Sequence, residues 1–285
     1  MKIERLIKKQ PFQGKFILIC GGSKGMGQET ANLIAQMGGN LCLVARNKGP
    51  LEQAQQKCLS LRSKQEQFVD IFACDTTDEQ AFKPLLEEEI EKRGVPDYLI
   101  SAVGMARPGY IKDLTVDDFR KLMEVNYIGQ LIPMLAILPH FLKRKRGYYA
   151  NITSLSTVVG IIGYTNYTPT KFAIHGLIES MRHELKPEGI KFSMLVPPDT
   201  QTPGYEEENK TKPYECLEIS KTGKIMTAEA VAMAFVKGIL KEKYLIYPGD
   251  SSWMQFVQRH WPKLVYFIID AQLKSIQKKM RKMGK

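Results

Sequence analysis

An α/β fold, built as a single doubly wound parallel sheet of about seven strands with helices on both faces, is predicted by three observations. Short apolar runs alternate with longer amphipathic stretches over the first 250 residues, the short runs are apolar almost throughout, and a glycine-rich turn follows the first of them. Strands buried on both faces require continuous apolar runs, and strand–helix–strand repetition is what a parallel sheet with crossover helices produces. The strands fall at FILIC (16–20), LCLVA (41–45), FVDIFAC (68–74), YLISAV (98–103), YYANIT (148–153), KFSMLV (191–196) and YLIYP (244–248), most of them β-branched or aromatic-rich. Stretches of helical length lie between them, for example 27–38, 117–143 and 170–186. No repeat or long low-complexity linker interrupts this order. The expectation is therefore one domain over residues 1–250, containing a mobile loop at 199–226, followed by a C-terminal extension over 251–285.

Composition narrows the function classes. A chain of 285 residues with 44% apolar and 25% charged residues is an ordinary globular protein, which excludes a disordered, collagenous or disulfide-scaffold chain. The net charge of +11 points to an anionic partner: nucleic acid, phosphate or an acidic lipid surface. Five cysteines, none in a CxxC pair, fit reduced thiols in a cytosolic compartment, and four scattered histidines predict no metal site. No apolar run of ~18 residues is evident, so no membrane-spanning helix is expected, and the polar start MKIERLIKKQ does not resemble a secretory signal.

The turn CGGSKGMG (20–27) sits between the first strand and a helical run. Gly21, Gly25 and Gly27 let the backbone turn sharply and approach a pyrophosphate at a helix N-terminus, with Ser23, Lys24 and Met26 lining the same turn. One strand later, where an NAD site places Asp or Glu, the chain reads Ala45-Arg46-Asn47. Arg46 and Lys24 together favour the 2′-phosphate of NADP, against the alternative that both are solvated surface cations. Asp75, after the third strand, is placed to accept from an adenine amino group or equally to cap a helix.

The chemistry is carried further along. Ser154 follows the fifth strand, and Tyr167 and Lys171 stand four apart on one helix face. A tyrosine of ordinary pKa near ~10 is a poor acid–base catalyst at neutral pH, and a neighbouring ammonium is expected to lower that value.

The set CGGSKGMG, Asn126 in VNYIG, Ser154 and Tyr167-x-x-x-Lys171 resembles the short-chain dehydrogenase/reductase family over about residues 14–250. The resemblance implies a Rossmann-type sheet of seven parallel strands and NADPH/NADP as cofactor. It implies proton donation by Tyr167, pKa tuning and ribose binding by Lys171, oxygen binding by Ser154 and a proton relay through Asn126. Thr202 stands where the family's threonine meets the nicotinamide amide. Two departures are Cys20 in place of Thr before the first glycine, and Ser101-Ala-Val-Gly104 in place of Asn-Asn-Ala-Gly. The segment VPPDTQTPGYEEENKTKPYE (196–215), with LVARN (43–47) and YTNYTPTKFAIHGL (164–177), is similar to the 3-ketodihydrosphingosine (3-ketosphinganine) reductases within that family. That resemblance implies a long-chain amino-ketone lipid substrate. One of Glu206, Glu207 and Glu208 is a candidate for attracting its ammonium, against the competing reading of a solvated loop.

Residues 251–285 carry both tryptophans, the apolar run from Leu264 to Ile269, and eight basic residues (Arg259, Lys263, Lys274, Lys278, Lys279, Arg281, Lys282, Lys285) against one acidic, Asp270. A basic amphipathic helix of this kind lies on an anionic membrane surface. Packing in a homo-oligomer, a dimer or tetramer, competes evenly, and nucleic-acid binding is not expected because no recognition motif is present. The expected location is cytoplasmic and peripheral on a membrane. That would be the cytosolic face of the endoplasmic reticulum in a eukaryote or the inner face of the plasma membrane in a bacterium.

Overall fold

The computed structural model describes residues 3–283, so Lys285 of the basic tail lies outside the described residues. Nine strands are present among them: β1 (Phe16–Cys20), β2 (Asn40–Ala45), β3 (Val69–Ala73), β4 (Tyr98–Ser101), β5 (Gly147–Ile152), β6 (Ile190–Leu195), β7 (Thr200–Gln201), β8 (Met226–Thr227) and β9 (Leu245–Ile246). Seven form one parallel sheet in the order β3-β2-β1-β4-β5-β6-β9, and β7 and β8 pair separately. Strand order reverses between β1 and β4, and the crevice beyond the strand ends at such a point is where open α/β sheets bind ligands.

The sheet explains the continuous apolar runs. Ile17 and Ile19 of β1 pack with Ala31, Ile34, Phe235 and Val236 in one core, while Leu18 and Cys20 pack with Met134, Ile137, Phe141 and Ile178 in another. Successive side chains of a strand point to opposite faces, so with helices on both sides every position is interior. All five cysteines are buried free thiols.

Two expectations about local structure are corrected. The stretch at 117–143 is helical from Val116 to Lys143 and is long and apolar enough by composition to cross a membrane, contrary to the sequence expectation. It is a core helix: Met134, Ile137 and Phe141 are buried on the sheet, and the run looked broken in the sequence because polar residues at its start share the helix with that face. Residues 124–128 form a π-helical turn within it, which brings Asn126 into the interior. The expected mobile loop at 199–226 contains the helices Pro203–Asn209 and Tyr214–Ser220. Thr202 caps the first, accepting from Tyr205 N at 3.1 Å with Pro203 in the first helical turn, and Pro213 precedes the second. The C-terminal extension is helical over Ser251–His260 and Pro262–Lys282, joined at Trp261.

Candidate active site

A groove of about 400 Å³ opens beyond the ends of β1, β2 and β4. Gly21, Ser23, Lys24, Gly25, Met26 and Gly27 line it on one side, Arg46 and Asp75 stand at one end, and Gly104 and Thr202 at the other. The glycines are there because nothing larger fits. Gly21 has φ +83°, and a Cβ on it would fall 2.7 Å from the Ala102 carbonyl carbon. A Cβ on Gly27 would fall 2.2 Å from the Gly21 carbonyl oxygen. The turn is thus bare backbone leading into the helix Gly25–Gln36, a cradle suited to a pyrophosphate. The Thr202 methyl closes over Gly25, where a Cβ would come within 3.1 Å of it.

At the far end of the turn from the catalytic residues, Arg46 Nη1 lies 3.8 Å from Asp75 Oδ2, both side chains well exposed. Such a pair contributes little by itself and leaves the guanidinium available. Asp75 is not the helix cap. Asp78 caps the helix Glu79–Arg93, and Asp75 instead accepts from the Thr77 amide and hydroxyl at 3.0 and 2.9 Å. Lys24 occupies the N-cap position of the glycine helix and is exposed. A nicotinamide dinucleotide therefore fits the residues present: glycine backbone for the pyrophosphate, and cations for an added phosphate.

Asn126 and Lys171 meet beside Gly104 of the groove, with Tyr167 next to Lys171 and Ser154 next to Tyr167. Asn126 is fully buried; its Nδ2 donates to the Met105 carbonyl and to Thr170 Oγ1, each at 2.9 Å, and its Oδ1 accepts from Met105 N at 2.7 Å. Thr170 in turn donates to the Tyr167 carbonyl at 2.7 Å, which ties Asn126 to the start of the helix Thr168–Leu185. A Cβ on Gly104 would meet Lys171 Nζ at 3.1 Å and Asn126 Oδ1 at 3.4 Å, so both side chains border the same point on the chain after β4. Ser154 accepts from Ser156 N at 3.1 Å, which orients its hydroxyl, and it hydrogen-bonds Tyr167.

The electrostatics differ from the expectation that Lys171 lowers the pKa of Tyr167. Burial is the dominant effect on both. It pushes the Tyr167 phenol up, with the Ser154 hydrogen bond opposing and the charges of Glu208 and Asp199 reinforcing. It pulls the Lys171 ammonium down to about 8. Lys171 Nζ lies over the Tyr167 ring, 5.6 Å from its centroid, and its charge is not among the influences on the phenol in this state.

Beside Tyr167 lies a cluster that no sequence pattern announced. The Tyr164 ring packs 5.7 Å from the Tyr167 ring, and its hydroxyl donates to Glu208. Lys212, whose side chain is fully buried, lies 3.0 Å from the same carboxylate and 4.0 Å from the centre of the Tyr205 ring, and Tyr205 donates to Asp199 at 3.2 Å. The acidic triplet is accordingly not one solvated group. Glu208 faces inward, Glu207 pairs with Lys210 at 2.6 Å on the groove rim, and Glu206 is exposed. The four-residue spacing of Glu208 and Lys212 was the one available signal, and it is common on helices.

A glycine cradle at the switch point of a seven-stranded parallel sheet, with Ser, Tyr and Lys at its end, defines a class. Residues 15–213 match the short chain dehydrogenase family, and the chain belongs to it. More specific similarity extends over more of the chain. It is 34% identical over 255 residues to the 3-dehydrosphinganine reductase of Danio rerio, covering 88% of this chain and 77% of that protein. It is 34% identical over 265 residues to the 3-ketodihydrosphingosine reductase of Dictyostelium discoideum, covering 86% and 78%. Among solved structures, levodione reductase superposes with a TM-score of 0.77 at 22% identity, covering 85% of this chain and 98% of that one, a likeness of fold.

Proposed function

We propose that the protein is an NADPH-dependent oxidoreductase that reduces the ketone of 3-ketodihydrosphingosine (3-ketosphinganine) to the secondary alcohol dihydrosphingosine in sphingolipid synthesis. The observation that carries the chemistry is the convergence of Ser154, Tyr167, Lys171 and Asn126 at one end of the glycine-lined groove, and the relatives of that name supply the substrate. NADPH held in the groove supplies hydride to the carbonyl carbon. Gly21, Gly25 and Gly27 let its pyrophosphate approach the backbone, with Ser23 and Met26 beside them, and Arg46 and Lys24 receive the 2′-phosphate. Asp75 would lie toward the adenine of a bound cofactor, and Thr202 and Lys171 toward its nicotinamide. The Ser154 hydroxyl holds the carbonyl oxygen, and the Tyr167 hydroxyl gives that oxygen its proton. Tyr167 is protonated at neutral pH as any phenol is, and burial, which pushes it further up, makes the phenolate still rarer. Asn126, bonded to Met105 and Thr170 beside Lys171, supports a relay that returns the proton from solvent.

Helices Ser251–His260 and Pro262–Lys282 support peripheral contact with an anionic membrane, on its cytoplasmic side. They expose Trp253, Phe256, Trp261, Leu264, Phe267 and Ile268 together, with Phe267 70% exposed, and carry lysines and arginines alongside. A substrate with a long alkyl chain resides in such a surface. Packing in a homo-oligomer is the competing use of this face. Removing residues 251–285 is expected to abolish co-sedimentation with anionic vesicles, and undiminished binding would refute the membrane role.

The test of the reaction compares NADPH oxidation on 3-ketodihydrosphingosine, on the long-chain ketone without the amine, and on a 3-oxoacyl thioester. The first is expected to be preferred. A preference for the thioester would replace the assigned substrate.

A further inference from the structure

The chain Tyr164–Glu208–Lys212–Tyr205–Asp199 stands outside the four residues assigned to catalysis, yet it forms the wall on which Tyr167 rests. The groups that touch the Tyr167 ring or act on its hydroxyl come from five places in the fold. Ser154 comes from the turn after β5, and Lys171 from the helix Thr168–Leu185. Tyr164 precedes that helix, Glu208 comes from the helix Pro203–Asn209, and Asp199 lies between β6 and β7. Lys212 reaches this group through Glu208. This wall thus holds two carboxylates against one ammonium. Glu208 is the better fixed of the two, held at once by the Tyr164 hydroxyl and the buried Lys212. Buried ion pairs add little to stability, so an arrangement of this kind asks for another role.

We infer that Glu208 is a positioning residue for Tyr167. Held by Tyr164 and Lys212, its carboxylate keeps the Tyr164 ring against Tyr167 and gives this wall a net negative charge. The Tyr167 hydroxyl is then harder to ionise, so the phenolate that would abstract a proton from an alcohol forms only at higher pH. In reduction the Tyr167 O–H bond breaks as the proton passes to the former carbonyl oxygen, while the carbonyl carbon gains hydride from the reduced nicotinamide; in alcohol oxidation both transfers run backward. Glu208 takes part in neither transfer and sets the pH at which the phenolate form of Tyr167 becomes available. Lys212 opposes it in sign, since its ammonium partly cancels the field that Tyr167 feels. This inference rests on the reading of Tyr167 as the acid.

The test is the pH dependence of alcohol oxidation, measured with dihydrosphingosine and NADP on the full chain. Glu208→Gln is expected to move the ascending limb to lower pH by roughly one unit, the scale for one charge at this remove in partly buried protein. Lys212→Met is expected to move it to higher pH. The double variant Glu208→Gln/Lys212→Met, which removes both charges and leaves neither buried alone, is expected to return the limb to within a few tenths of a unit of the parent. Opposite displacements with restoration in the double variant support the inference. Displacement in the same direction, or loss of rate with no displacement, overturns it. Tyr167→Phe separates the two levels. If it retains turnover, the reading of Tyr167 is wrong; if it is inactive and the limbs fail to move oppositely, the inference about Glu208 alone is wrong.

Discussion

Gly27→Ala puts the glycine cradle to a quantitative test. Alanine is the better helix former by ~1 kcal/mol, so at an open helical site the exchange stabilises. Gly27 is not open. Its Cβ would sit 2.2 Å from the Gly21 carbonyl oxygen and 2.9 Å from the Ala102 Cβ. Contact distance is about 1 Å greater than the first of these, so the turn must be displaced by that amount. It has little room to move, because Gly21 N donates to the Val44 carbonyl at 2.8 Å and the Gly21 backbone abuts Ala102. Overpacking of this kind costs ~1–3 kcal/mol. With an unfolding entropy of ~0.6 kcal/mol/K for a chain of this size, a cost of ~3 kcal/mol lowers Tm by ~5 °C. NADPH affinity, followed by fluorescence titration, is expected to fall at least ~10-fold, since misplacing the phosphate donors forfeits more than ~1.4 kcal/mol. Gly176→Ala is the control. That glycine is exposed on the helix Thr168–Leu185 with nothing near its Cβ, and the exchange is expected to raise Tm by ~1–2 °C with NADPH binding unchanged. A Gly27→Ala protein with parental Tm and affinity would refute the close-approach argument.

Two other predictions follow from charge. Arg46→Ala removes the cation assigned to the 2′-phosphate; the KM for NADPH is expected to rise ~10–100-fold, the value of a lost charge-assisted contact, with the KM for NADH little changed. Equal losses with both cofactors would remove Arg46 from that role. Glu89 is 1% exposed at an apolar void lined by Leu18, Val44, Phe82 and Leu86, and burial followed by the nearby charge of Asp70 pushes its carboxyl up to about 7. The unfolded chain releases this proton near pH 4.3 and the folded chain does not. Stability is therefore lost as pH rises from there to about 7, by up to ~1.4 kcal/mol per unit, and then levels off. Glu89→Gln is expected to flatten that fall in urea titrations at pH 5 to 8; an unchanged slope would place the titration elsewhere.

What the sequence disclosed follows from how local each signal is. The glycine turn, and Tyr167 with Lys171, depend on spacings of a few residues within one βα unit or helix, and the fold depends on apolar runs that report two-sided burial directly. Segment 199–226 misled because Pro, Gly and Thr mark helix starts as readily as loops, and Thr202-Pro203 is such a start. Lys171 misled for another reason. Spacing puts it on the face of Tyr167, but only packing reveals that it lies over the ring, with burial dominating both groups. The cluster of Tyr164, Asp199, Glu208 and Lys212 joins three separate stretches of chain, and no spacing rule brings those together.

The central claim is that Tyr167 gives the proton that completes reduction of the long-chain amino ketone. Its most direct measurement is the rate of NADPH oxidation on 3-ketodihydrosphingosine by the protein and by Tyr167→Phe, with NADPH binding measured on both. The account predicts turnover in the parent and a loss of at least ~100-fold in Tyr167→Phe with NADPH affinity retained. Comparable rates in the two proteins would contradict it.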